Sequence, residues 1–271
     1  MAVAATDLVF YCSANVPEAD TGTAGGAIDP EIRVIDRTAC DSIAGGSGDQ
    51  IDLVSADAGD TQNCYLAGIG TDGTWLSETV ALRGTTHVQS VNTYLHLRKV
   101  ELASAAAGAV TVARYNSGSP VTLTTIVAGE KGYKDPFLRA KANASGGAAK
   151  AIYVKIYLKN CHATDALQDG VVWLSEDEDS ELTMDCEMDS DVTVVDGTES
   201  ITNRVTAPSA GGTYSFADHA TEGAGHAIGD GEDGNLAAGE AQGIWLRLSL
   251  AAGRTPEQQV QWTINWSGSA A

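Results

Sequence analysis

Hydrophobic and polar positions alternate with a period of two through much of this chain, and stripes with a helical period are nearly absent. Such alternation marks a strand with one face against a core. In "YVKIYLK" it sets Tyr153, Lys155, Tyr157 and Lys159 on one face and Val154, Ile156 and Leu158 on the other. In "IWLRLSL" Ile244, Leu246, Leu248 and Leu250 share a face opposite Trp245, Arg247 and Ser249. Both patterns predict half-buried strands that pack a common core. The same reading predicts strands at 7–12, 31–35, 50–54, 63–69, 76–82, 94–102, 110–115, 122–127, 151–159, 170–174, 182–188, 200–204, 243–251 and 259–266. Short strands divided by Gly, Asp, Ser and Pro predict an all-β protein of sandwiches or partly closed barrels. The run "ASAAAGA" at 103–109 has helix propensity, but it is short, holds a glycine and lies between strand-like blocks, so it predicts a loop.

The alternation stops in "VAGEKGYKDPFLRAKANASGG", where Lys131, Lys134, Arg139, Lys141 and Lys150 cluster. Charge changes there too. Through Lys159 the chain carries 13 basic and 16 acidic residues; beyond it only Arg204, Arg247 and Arg254 face 20 carboxylates. A chain of 271 residues can bury two cores. The expected organisation is a first strand and Gly-rich loop (1–30) belonging with the C-terminal part, and an inserted β-sandwich or barrel subdomain (31–128). A basic linker (129–150) and an acidic immunoglobulin-like β-sandwich (151–271) complete it.

A net charge of -20 repels nucleic acid and anionic bilayers, so neither is an expected partner. No run approaches the roughly 18 to 20 apolar residues that span a bilayer. The start "MAVAATDLVFYCSANVPEAD" lacks the basic residues and sustained apolar core of a secretion signal, which predicts a soluble chain that stays where it is made.

Candidate chemistry is sparse. Between Glu176 and Glu199 lie 11 carboxylates. Paired carboxylates suit glycoside hydrolysis or Ca²⁺. Alternation in "ELTMDCEMD", however, sets Leu182, Met184, Cys186 and Met188 on one face and the acids mainly on the other, which predicts a solvated strand face. "GDGEDGNLAAGE" groups Asp230, Glu232, Asp233 and Asn235 but puts Gly234 where a calcium loop needs its fifth ligand position. His87, His96, His162, His219 and His226 form no metal-binding spacing, and the adjacent Cys161 and His162 would point to opposite faces of a strand. Nucleophile elbow, Walker loop and dinucleotide fingerprint are missing from the sequence. The expectation is a chain that is not an enzyme and has no catalytic residue, metal or cofactor.

Cys12, Cys40, Cys64, Cys161 and Cys186 are odd in number and form no C-x-x-C, so they are expected as small apolar fillers, with later disulfides as the alternative. Trp262 and Trp266 share a face of the last strand, expected as core or subunit contact ahead of a sugar platform. Lys131, Lys134, Arg139 and Lys141 are candidates for contact with another subunit, or form an internal tether that offsets the acidic part.

Together the blocks resemble structural proteins of tailed-bacteriophage virions, a group that includes capsid decoration (cement) proteins. "DLVFYCSAN" with "TAGGAI", "YVKIYLKNCHATDALQDGVVWLS", "VTAPSAGGTYSF", "GNLAAGEAQGIWLRLSLAAGRTP" and "VQWTINWSG" are similar to their strand and turn blocks. The middle segment "AGIGTDGTWLSETVALRGTTHVQSVNTYLHLRKVEL" is similar to a β-module repeated across phage structural proteins. The resemblance implies a non-enzymatic decoration protein on the outer capsid surface, assembled in the host cytoplasm. Its implied partners are the major capsid protein and further copies of itself, as a homo-oligomer such as a trimer. A tail, neck or fibre-associated component, or a carbohydrate-binding adhesin-like protein, is the alternative.

Overall fold

The structure is a computed structural model, and it describes residues 2–115, 119–140, 147–176, 182–189, 199–209, 214–216, 220–229, 232–253 and 262–270. It is mostly β. In chain order the strands are β1 Leu8–Asn15, β2 Ala24–Val34, β3 Asp49–Ser55, β4 Asn63–Gly70, β5 Trp75–Ala81, β6 Val88–Leu102, β7 Val110–Tyr115 and β8 Val121–Ile126. They continue with β9 Gly132–Lys134, β10 Lys150–Asn160, β11 Leu167–Glu176, β12 Leu182–Met188, β13 Ser200–Ile201, β14 His226–Ala227, β15 Ala241–Leu250 and β16 Trp262–Ala270. A single helical turn, α1 Arg37–Cys40, begins where the Asp36 side chain accepts from the Thr38 N–H at 2.9 Å. The residues of "ASAAAGA" form bends and no helix.

Two compact units divide the chain: Met1–Asp29 with Arg139–Ala271, and Pro30–Leu138. In the first unit β15 lies between β10 and β12, antiparallel to both, and β1 pairs with the far side of β10 from Leu8↔Asn160 to Cys12↔Ile156. A second sheet runs β14-β11-β16. Because β10 has a neighbour on each side and cover on each face, Tyr153, Val154, Lys155, Ile156, Tyr157 and Leu158 are all buried. The half-buried reading of this strand is therefore corrected: both of its faces are interior. On β15 the second face is interior at Trp245, which is fully buried with Ala24, Tyr153 and Ile201 under Tyr214 and Phe216, while Arg247 and Ser249 on that face are half-buried as expected. Each large apolar side chain so buried contributes about 1.5 to 3 kcal/mol.

In the second unit the core gathers Ile51 and Leu53 from β3, Cys64 and Leu66 from β4, Tyr94, Leu97, Val100 and Leu102 from β6, and Val110 and Val112 from β7. The long β6 serves β3 with its first half and β4 with its second. Its pairing shifts register with β3 between Gln50 and Asp52, and with β4 at Ala67/Gly68 and Ile69/Gly70. Ala67 stands opposite Lys99 while Gly68 stands opposite Leu97, so Arg98 is an extra residue on β6 and forms a bulge. Only glycine fits at 68, because a Cβ there would lie 2.0 Å from the His96 carbonyl oxygen.

Residues 130–138, read from the sequence as part of a basic linker, are built into this second unit. β9 pairs in parallel with β2 at Ile32↔Gly132 to Val34↔Lys134 and antiparallel with β6 at Lys99↔Lys134 to Glu101↔Gly132. Three residues are too few for alternation to reveal a strand.

Candidate functional site

The cations singled out in the sequence are engaged by carboxylates of their own unit. Lys131 pairs with Glu31. Lys134 Nζ lies 3.1 Å from Glu101, which Lys99 also reaches at 2.8 Å. Burial works against the charge on Glu101, but Lys99 and Lys134 outweigh it and hold the carboxyl below its usual range. In the first unit Arg139 lies 3.5 Å from Glu18. Lys141 lies outside the described residues. Trp266 stands opposite Val172 on β11 and is half-buried. Trp262 opposes Glu176, and its side chain lies outside the description.

The acids of β12 and its end do not form a solvated face. Asp185 is buried and bonded to Arg247, its direct partner on β15, at 2.6 to 2.8 Å. Asp189 is buried against Lys155. Glu187 is half-buried, with His226 Nδ1 at 3.5 Å. The alternation of Leu182, Met184, Cys186 and Met188 toward a core is as expected. What the sequence hid was the cationic partners, which come from strands distant along the chain.

Lys155 and Asp189 are the most completely enclosed ion pair among the described residues, with side chains 0% and 1% exposed. Lys155 is on β10 and Asp189 lies just past the end of β12, the two strands that flank β15, and their side chains meet over Gly243. A Cβ on Gly243 would lie 2.8 Å from Lys155 Cε and 3.1 Å from Asp189 Cβ. The rings of Tyr157 and Trp245 stand 5.1 and 5.6 Å from the Lys155 nitrogen. On the acid's other side the Tyr214 hydroxyl is 2.9 Å from Asp189 Oδ1 and also contacts Glu199. Trp245 Nε1 has no hydrogen-bond partner among the described residues.

A second buried polar group, in the other unit, surrounds Asp41. Arg37 bonds its Oδ2 at 2.8 to 2.9 Å, and Arg98 Nη1 and His96 Nδ1 lie 2.9 and 3.2 Å from Oδ1. Asp135 is 3.5 Å from Arg98. Burial would raise Asp41, but His96, Arg98 and Arg37 outweigh it and hold the carboxyl at about 2. The group locks α1 to the β6 bulge. Burial pushes the thiols of Cys40 and Cys64 up to about 12, so they are held as thiols and not as nucleophilic thiolates. Among the described residues no three His, Cys, Asp or Glu side chains converge to hold a metal ion. No described helix is long and apolar enough to cross a membrane. An open depression lined by Val80, Arg83, His87 and Gln89 holds one close contact near it, His87 Nδ1 to the buried Asp52 at 2.5 Å.

No family model matches the chain. No curated protein matches it either. Among solved structures, the crystal structure of the infectious bursal disease virus VP2 subviral particle aligns over 100% of this chain and 68% of that one, with 10% identity and a TM-score of 0.14. A likeness of that size carries no argument.

Proposed function

We propose that this chain is a non-enzymatic structural protein of a tailed-phage virion, a decoration protein that binds the outer face of the capsid and stabilises it. The observation that supports it most is how charge is distributed: the net charge is -20, while the described cations of the basic cluster are engaged by carboxylates of their own unit. Such a surface repels packaged DNA, which favours the outside of a shell. The first unit is read as an immunoglobulin-like sandwich, supported by its β12-β15-β10-β1 sheet and separate β14-β11-β16 sheet. Its edge strand β16, carrying the half-buried Trp266, is the proposed contact between copies. Many copies, each bound weakly, would favour the assembled shell over its free subunits.

Copy number in purified particles tests this reading. Hundreds of chains per particle are expected, and stripping them should let filled heads release DNA at a lower temperature. About six to twelve copies would place the chain at the neck or tail instead, consistent with the cyclic symmetry of such assemblies.

A further inference from the structure

We propose that Lys155 and Asp189 join covalently, forming an isopeptide bond that staples β10 to the end of β12 across β15. The geometry that carries this is a glycine window. On the middle strand Lys155 stands opposite Trp245 and reaches diagonally across Gly243, whose missing Cβ is the space through which it meets Asp189. Other close lysine and carboxylate pairs lack the enclosure: the Asp20 partner of Lys150 and the Glu31 partner of Lys131 are 38% and 37% exposed, where hydrated ions are stable. Lys155 and Asp189 have no such refuge. Two buried charges carry a large desolvation cost, and a neutral amide removes both charges.

The chemistry balances without a further reactant. An ammonium proton passes to the carboxylate, which gives the amine and the carboxylic acid. Lys155 Nζ then attacks Asp189 Cγ; the C–N bond forms, the C–O bond of the acid's hydroxyl breaks, and one water leaves with no change in oxidation state. The Tyr214 hydroxyl, in contact with both Asp189 Oδ1 and Glu199 Oε2, holds the acid in place on its far side. Fixing amine and acid together replaces a bimolecular encounter, an advantage worth effective molarities of about 10⁵ to 10⁸ M. Packing by Tyr157 and Trp245 limits access of the water that would reverse the step.

Mass spectrometry of the full chain after denaturation tests the bond. The expected result is a chain lighter by the mass of one water, with a branched peptide in its digest joining Lys155 to Asp189. Asp189→Asn should lose one ammonia instead, because the same amide forms from a carboxamide. Lys155→Arg, which keeps the charge but lacks the amine, should show its unshifted sequence mass. An unshifted wild-type mass overturns the proposal, as does a one-water loss that maps elsewhere or persists in Lys155→Arg. The wild-type reading stands whether or not the variants fold.

Discussion

Single side chains in this protein are tied down by partners that a linear reading could not pair with them. Arg204 is the clearest case: it is fully buried, donates to the carbonyls of Pro17 and Arg139 at 2.8 and 3.3 Å, and reaches Asp20 at 3.2 Å. In the sequence it is one of three basic residues in an acidic stretch, which gave no hint of burial. Arg204→Met should destabilise the first unit by about 1 to 3 kcal/mol in urea titration, because it takes the donor from the carbonyls of Pro17 and Arg139, while the exposed Asp20 keeps Lys150 and water. Gly243 makes a similar point about space. Gly243→Val should cost about 1 to 3 kcal/mol by driving Lys155 and Asp189 apart, whereas Gly223→Ala, where a Cβ meets nothing within 4 Å, should be near neutral. Equal effects at the two glycines would show that the window has no structural role.

At the level of elements, alternation revealed most strands and little of their surroundings. The ends of β7 and β12 fall where the pattern puts them, at Val110–Tyr115 and Leu182–Met188. β9 and β14, of three and two residues, are shorter than any periodic signal can mark. β10 and β15 were legible as strands, but the burial of β10's second face and of Trp245 on β15 was not, since covering them depends on layers brought from elsewhere in the chain. The cluster at Asp41 was hidden for a related reason: the β6 bulge that aims Arg98 is specified jointly by β6 and by Gly68 on β4. This cluster predicts a pH dependence. The Asp41 carboxyl is lowered from its ordinary 3.8 to about 2 on folding, so its contribution is fully present above about pH 3.8 and is lost as pH falls through about 2. Denaturation monitored between pH 5 and 2 should show stability falling in that window, with a smaller fall in Asp41→Asn. An identical pH slope in that variant would remove Asp41 as the cause.

For the whole molecule, the sequence made the acidic balance and the basic cluster plain, but not how the cluster's charge is used. Of its candidates, Lys131, Lys134 and Arg139 each face a carboxylate within their own unit, and Lys134 has the most enclosed partner arrangement, sharing Glu101 with Lys99. Cations committed in this way hold their own fold together and have little charge left to draw a neighbour. The proposed docking of the chain on a shell should then depend on surface fit more than on these lysines. With Lys131, Lys134 and Lys141 all replaced by Ser, occupancy on stripped particles should match the unsubstituted chain at both low and high salt. The same variant should unfold more easily by about 1 kcal/mol, chiefly through loss of Lys134 beside Glu101. Occupancy that falls, and falls further as salt is added, would instead assign these lysines to the contact between subunits, because only a charge pair across an interface is screened in that way.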